Sequence, residues 1–93
     1  MKKVYPIKTE YGTFKAKIWL DKRDKVYLVE VPSFAGNVTQ GDSLADAKYM
    51  AGDLIKLLCE EALDEGNIIV DDLRRMFARG KLARHSGAIA VAV

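Results

Sequence analysis

The sequence predicts an α+β domain, an antiparallel sheet of three to four strands backed by one long helix, and three features predict it. Residues 14–20 alternate with a period of two, which puts Phe14, Ala16, Ile18 and Leu20 on one face and Lys15, Lys17 and Trp19 on the other. Residues 25–31 form a second such run, reached through the polar Asp21-Lys22-Arg23-Asp24, a stretch of hairpin-loop length. The period then changes. Leu44, Ala47, Met50, Ala51, Leu54, Ile55, Leu58, Ala62 and Leu63 recur at three- and four-residue steps, the spacing of one helix face.

The elements follow in chain order. Residues 4–8 make a first strand, and Pro6, which has no N–H to give a ladder, places that strand at an edge or a bulge. Tyr11-Gly12 is the turn into the strand at 14–20. With the hairpin loop at 21–24, Leu20 faces Lys25, Trp19 faces Val26, Ile18 faces Tyr27, Lys17 faces Leu28, Ala16 faces Val29 and Lys15 faces Glu30. This register gathers Phe14, Ile18, Tyr27, Val29 and Val31 on a core face and sets Glu30 against Lys15 on the other. Trp19, Val26 and Leu28 share that second face, an apolar patch among charges and a candidate surface for self-association.

Pro32 ends the third strand, and residues 33–41 read as a loop with two glycines. Ser43 is an N-cap, with Asp46 three residues on and Asp42 favourable at the positive end of the helix dipole. The helix runs over 43–65, roughly 35 Å at 1.5 Å per residue, and Gly66 is its C′ residue. Asp71 or Asp72 is expected to cap a second, short helix reaching about Arg79, with Leu73, Met76 and Phe77 as its stripe and Gly80 as its stop. Residues 81–87 connect to a final strand at 88–93.

Ninety-three residues, 49% hydrophobic and 30% charged, fit one domain over 1–93 and argue against both a two-lobed enzyme and a disordered chain. A lone cysteine, Cys59, has no internal disulfide partner, and the Lys2-Lys3 start lacks the apolar run of a signal peptide. The longest fully apolar stretch, residues 88–93, falls far short of a membrane span, and a cytoplasmic protein is expected.

The net charge of +2 conceals a segregation: residues 1–41 carry +4, residues 42–66 carry −5 and residues 67–93 carry +3. Such a layout serves a nucleic acid, a basic protein partner or plain solvation. Asp53, Glu60, Glu61, Asp64 and Glu65 are the candidates for binding a basic partner. Arg74, Arg75, Arg79, Lys81 and Arg84 form a basic run that would touch phosphates if the chain were instead a small nucleic-acid-binding protein. No Cys or His cluster has metal-ligand spacing, and the stretch from Gly36 to Ser43 lacks the lysine of a phosphate loop. No metal, no cofactor and no catalysis are expected.

The stretch Tyr27-Leu-Val-Glu-Val-Pro32-Ser-Phe-Ala-Gly36-Asn-Val-Thr39-Gln40-Gly41-Asp42-Ser43-Leu44-Ala45-Asp46-Ala47 resembles the core of the HicB-like antitoxins. The points of likeness are a strand ending in proline, a tight loop with a glycine, a Thr-Gln-Gly-Asp segment that caps a helix, and an acidic-Ala pair in its first turn. The resemblance covers residues 14 to about 65. It implies a ββαβ-type, partly RNase-H-like core that neutralises a small ribonuclease toxin of the HicA type, as a homodimer or higher oligomer. Ser33, Ala35 and Asn37 depart from the family's preferred residues, and no C-terminal DNA-binding domain is expected after the last strand. RNase-H-like chemistry needs acids clustered on strands to hold metal, and only Glu30 lies on one. A toxin that grips RNA should be basic, so its expected docking site is the −5 segment.

Overall fold

A computed structural model describes residues 2–35 and 37–78. Among them the chain forms β1 (Lys3–Thr9), β2 (Gly12–Asp21), β3 (Val26–Glu30), a 3-10 turn at Pro32–Phe34, β4 (Val38–Gly41), α1 (Leu44–Asp64), β5 (Ile69–Val70) and β6 (Met76–Phe77). The first four strands make an antiparallel sheet in the order β1-β2-β3-β4, and β5 and β6 make a small hairpin of their own. One long helix packs across one face of the four-stranded sheet, which makes the fold α+β as the periodicities predict.

The core lies between that face and the helix. Ile7, Phe14, Ala16, Ile18, Val29 and Val31 come from the sheet, and Ala47, Ala51, Ile55, Cys59 and Leu63 from α1 at four-residue steps. Tyr27 is half-buried against this cluster, so the expected core face is the observed one. The partners, however, differ. Lys17 faces Glu30, Ile18 faces Val29, Trp19 faces Leu28 and Leu20 faces Tyr27, so Glu30 pairs with Lys17 and not with Lys15. The loop is 22–25 rather than 21–24: Lys25 adopts a left-handed φ of 56° and donates its N–H to the Asp21 carbonyl at 2.7 Å, and Asp21 stays in the strand opposite Val26. A shift of two residues keeps every side chain on its face, which is why the core survives the wrong register.

Residues 38–41, read from the sequence as loop, form β4 and pair with β3 from Tyr27↔Gly41 to Glu30↔Val38. Gly41 is forced by the helix start: a Cβ there would lie 2.4 Å from the Ala47 nitrogen. Ser43 caps α1 as expected, its Oγ accepting the Asp46 N–H at 3.0 Å, while the Asp46 carboxylate reaches back to the Asp42 N–H at 2.9 Å. The helix ends in a Schellman arrangement. Gly66, at φ 86°, donates to the Leu63 carbonyl and Asn67 to the Ala62 carbonyl.

The expected second helix from Asp71 or Asp72 is absent over the described residues; residues 69–77 are the β5–β6 hairpin. Asp71 accepts loop N–H groups from Leu73 at 3.1 Å and Arg75 at 2.7 Å, as a cap would, but Arg74 turns left-handed at φ 67° and the chain reverses. The basic positions Arg79, Lys81 and Arg84, the expected stop at Gly80 and the final strand at 88–93 lie outside the described residues.

Candidate protein-binding surfaces

Three features of the molecule bear on function: the sheet face turned away from α1, the exposed side of α1, and the contact between the β5–β6 hairpin and β2. The register determines the composition of the first. Val4↔Lys17, Lys17↔Glu30 and Glu30↔Val38 form one row across all four strands, and Trp19↔Leu28 with Leu28↔Gln40 form the next. Trp19 and Leu28 are therefore direct cross-strand neighbours, and Val26 stands two residues from Leu28 on the same face. The sequence placed these three together and the structure does too. All three are half-buried, with the Lys2 ammonium 4.2 Å above the Trp19 ring. Val4 and Val38, at the two edges of the same face, are 54% and 66% exposed.

On α1 and at its C-cap, Asp53, Glu61, Asp64 and Glu65 are exposed. Glu60 is half-buried and accepts the Tyr11 hydroxyl at 3.0 Å, so it belongs to the flank where the helix meets the sheet. Burial, then this hydrogen bond to Glu60, raise the Tyr11 pKa. Sequence reasoning missed two residues. Tyr49 and Leu57 are 70% and 62% exposed, and with Asp53 and Glu61 they form an i, i+4 row whose apolar and acidic members alternate. The available signal was their position off the buried stripe. On the side facing β1, a groove of about 410 Å³ runs between Ile7, Lys8, Lys48, Gly52 and Lys56, where Lys56 lies 4.0 Å from Glu10.

The hairpin contact was also missed. β2 has ten residues and β3 five, because Pro32 turns the chain out of the ladder, so the β3-side edge of β2 around Thr13 and Lys15 has no strand beside it. Aspartates take the strand's place. The Thr13 N–H donates to Asp71 Oδ2 at 2.8 Å, the Lys15 N–H to Asp72 Oδ2 at 2.6 Å, and the Thr13 carbonyl accepts the Asp72 N–H at 3.0 Å. Ser33 Oγ donates to Asp72 Oδ1 at 2.6 Å. Gly12, at φ 113°, makes the room, since a Cβ there would sit 2.5 Å from the Asp71 Cβ.

The Asp71 side chain is fully buried, and Arg75 reaches it through Nε at 3.0 Å and Nη2 at 2.9 Å while also donating to Thr13 Oγ1 at 3.1 Å. Burial pulls the Asp71 carboxyl upward, but the backbone N–H groups of Thr13 and Arg75 and the Arg75 guanidinium outweigh it and hold the group below its ordinary value. Arg75 of the expected basic run is thus committed to this contact. Arg74 is exposed at the turn.

Cys59 is fully buried under α1, and burial, with the neighbouring Glu60 carboxylate adding to it, pushes its thiol up to about 11. It stays protonated at neutral pH and packs as a small apolar side chain. Among the described residues, no group of three or more His, Cys, Asp or Glu is placed to hold a metal ion, and no helix is long and apolar enough to cross a membrane. Set against known protein families, curated proteins and solved structures, the chain finds no match in any of the three.

Proposed function

We propose that this chain is a protein-binding module of the HicB antitoxin type, which occupies and silences a small basic ribonuclease in the cytoplasm and works as a homodimer or higher oligomer. The observation that carries the reading is the exposed row Tyr49, Asp53, Leu57, Glu61 on α1. Tyrosine and leucine supply apolar anchors, the carboxylates around them select a cationic partner, and the buried opposite side of the helix fixes the row rigidly. The resemblance over residues 14 to about 65 supplies the class of partner. The role needs no reaction at the chain itself: coverage of the toxin's RNA-gripping surface is sufficient.

The test is to co-express any small basic reading frame found adjacent to this one, with and without the chain, following growth and copurification; the lack of such a frame would itself count against the reading. Growth arrest relieved by the chain, with a complex recovered, supports the reading. In that complex Asp53→Lys with Glu61→Lys should slow association by about tenfold or more at low salt, because like charges now face each other during encounter. Arrest that the chain fails to relieve, with no complex, overturns it. Binding of RNA that weakens steeply with salt would put the nucleic-acid alternative ahead.

A further inference from the structure

We infer that two copies of this chain pack outer sheet face to outer sheet face about a two-fold axis that runs along the strands between β2 and β3. The inference rests on the reading of the chain as a self-associating module and goes beyond it by fixing the operator and the contacts. A rotation about such an axis preserves position along the strands and exchanges β2 with the partner's β3 and β1 with the partner's β4. The register then dictates which residues meet. Trp19 lies over Leu28 of the partner subunit and Leu28 over the partner's Trp19, since the two share a rung. Lys17 lies over the partner's Glu30 and Glu30 over the partner's Lys17. At the edges Val4 lies over the partner's Val38, joining the two most exposed apolar side chains of this face.

Charge and the two exposed edge valines together select this axis over its alternative. By strand parity the outer face carries Lys8 on β1 and Lys15, Lys17 and Asp21 on β2, while Glu30 stands on β3 and no cation stands on β3 or β4 of that face. An axis along the strands brings the basic half of one copy onto the Glu30 half of the other. An axis perpendicular to the strands sets β2 on β2. Drawn through the Lys17 rung it faces Lys17 with the partner's Lys17 and Glu30 with the partner's Glu30, which like-charge repulsion penalises; drawn through the Trp19 rung it faces Lys17 with the partner's Asp21 but leaves Val4 and Val38 without apolar partners. The rotation of about 30° between stacked sheets leaves residues near the axis opposed. The apolar centre, Trp19 and Leu28, is bordered on one side by the Lys17–Glu30 contacts and on the other by Asp21 lying over the partner's Val26, a charged and polar border around an apolar middle.

The test uses full-length chains in analytical ultracentrifugation, with thermal melts to show that each variant is folded. The parent should be a dimer. Lys17→Glu and Glu30→Lys should each weaken self-association by about tenfold or more, equivalent to about 1.4 kcal/mol. Mixed in equal amounts, the two variants should form a heterodimer, because the chain with Lys17→Glu then presents carboxylates at positions 17 and 30 to the lysines at positions 30 and 17 of the chain with Glu30→Lys. This readout isolates the contact between chains, since the pair within each chain stays mismatched in the mixture. A parent dimer that Trp19→Glu dissolves but the mixture fails to restore would overturn the axis and its contacts while leaving self-association through this face. A monomeric parent, or a dimer indifferent to Trp19→Glu, would overturn the inference altogether. None of these measurements involves a toxin, so failure of the antitoxin reading is seen separately, as growth arrest not relieved.

Discussion

Two hairpins in this chain open on an aspartate and close on a basic residue in the left-handed region, yet they do different work. In the β2–β3 hairpin Asp21 accepts the N–H groups of Arg23 at 3.0 Å and Asp24 at 3.4 Å, and Lys25 takes the positive φ. In the β5–β6 hairpin Asp71 accepts those of Leu73 and Arg75, and Arg74 takes the positive φ. The first set of bonds is exposed and local. The second centres on a fully buried carboxylate that also reaches Thr13, fifty-eight residues away in sequence, and completes the edge of β2. The same turn chemistry therefore shapes a loop in one place and joins two parts of the fold in the other, and burial makes the difference.

Removing Asp71 should separate the two hairpins most sharply. Asp71→Ala leaves the N–H groups of Thr13, Leu73 and Arg75 without their acceptor, and at about 1–3 kcal/mol for each unsatisfied group a loss of about 3–5 kcal/mol is expected in urea unfolding. Hydrogen exchange should then speed up at Thr13 while the β2–β3 ladder amides keep their protection. A variant as stable as the parent would mean that the hairpin is not docked on β2.

Acid should act through the same carboxylate. Its folded pKa lies below the ordinary 3.8, so the stability it contributes is fully present above that value and is lost as the pH falls through the lower folded value. Unfolding midpoints followed from pH 6 to pH 2 should show this loss in the parent, and Asp71→Asn should remove that component of the pH dependence.

Asp72→Ala comes next, at about 1–2 kcal/mol, because its two bonds, to the Lys15 N–H and Ser33, are made at an exposed site. Asp21→Ala should cost only about 0.5 kcal/mol, the scale of a surface substitution. The smallest effects are expected at the left-handed positions. Lys25→Gly and Arg74→Gly should each change stability by less than about 1 kcal/mol, as relief of the positive φ is set against a more flexible unfolded chain. A difference between these two glycine variants in thermal melts would measure what docking adds to an otherwise similar turn.

The misread second helix has a physical source in this likeness. An aspartate whose carboxylate accepts backbone N–H groups a few residues on is the local signature of a helix N-cap and also of an Asx turn. Residues 73–77 carry an apolar pattern that fits either a helix or a strand over so short a length. What decided was distant: an open stretch of β2 edge and a glycine at position 12 that leaves space for the Asp71 side chain. Residues 38–41 were hidden for a similar reason. Val38-Thr39-Gln40-Gly41 ends on a glycine, follows Gly36-Asn37 and has a polar middle, and only pairing with β3 beside the helix start makes it a strand. On the candidate surfaces, the patch Trp19, Val26, Leu28 was legible because strand parity alone assigns faces. The row through Tyr49 and Leu57 was not, since both residues look like ordinary helix formers until the buried side of α1 is known.

By itself the sequence determined the α+β class, the strand faces, both caps of α1 and the helix core positions 47, 51, 55 and 63, with Cys59 beside that stripe. Each is a matter of short-range periodicity or of one residue's bonds to its neighbours in the chain. The tertiary structure alone decided the partner of each strand residue, the existence of β4 and the fate of residues 69–77. Those outcomes depend on which backbone groups elsewhere in the molecule still lack a partner, and Thr13 and Lys15 find theirs in Asp71 and Asp72, a pairing that no local pattern encodes.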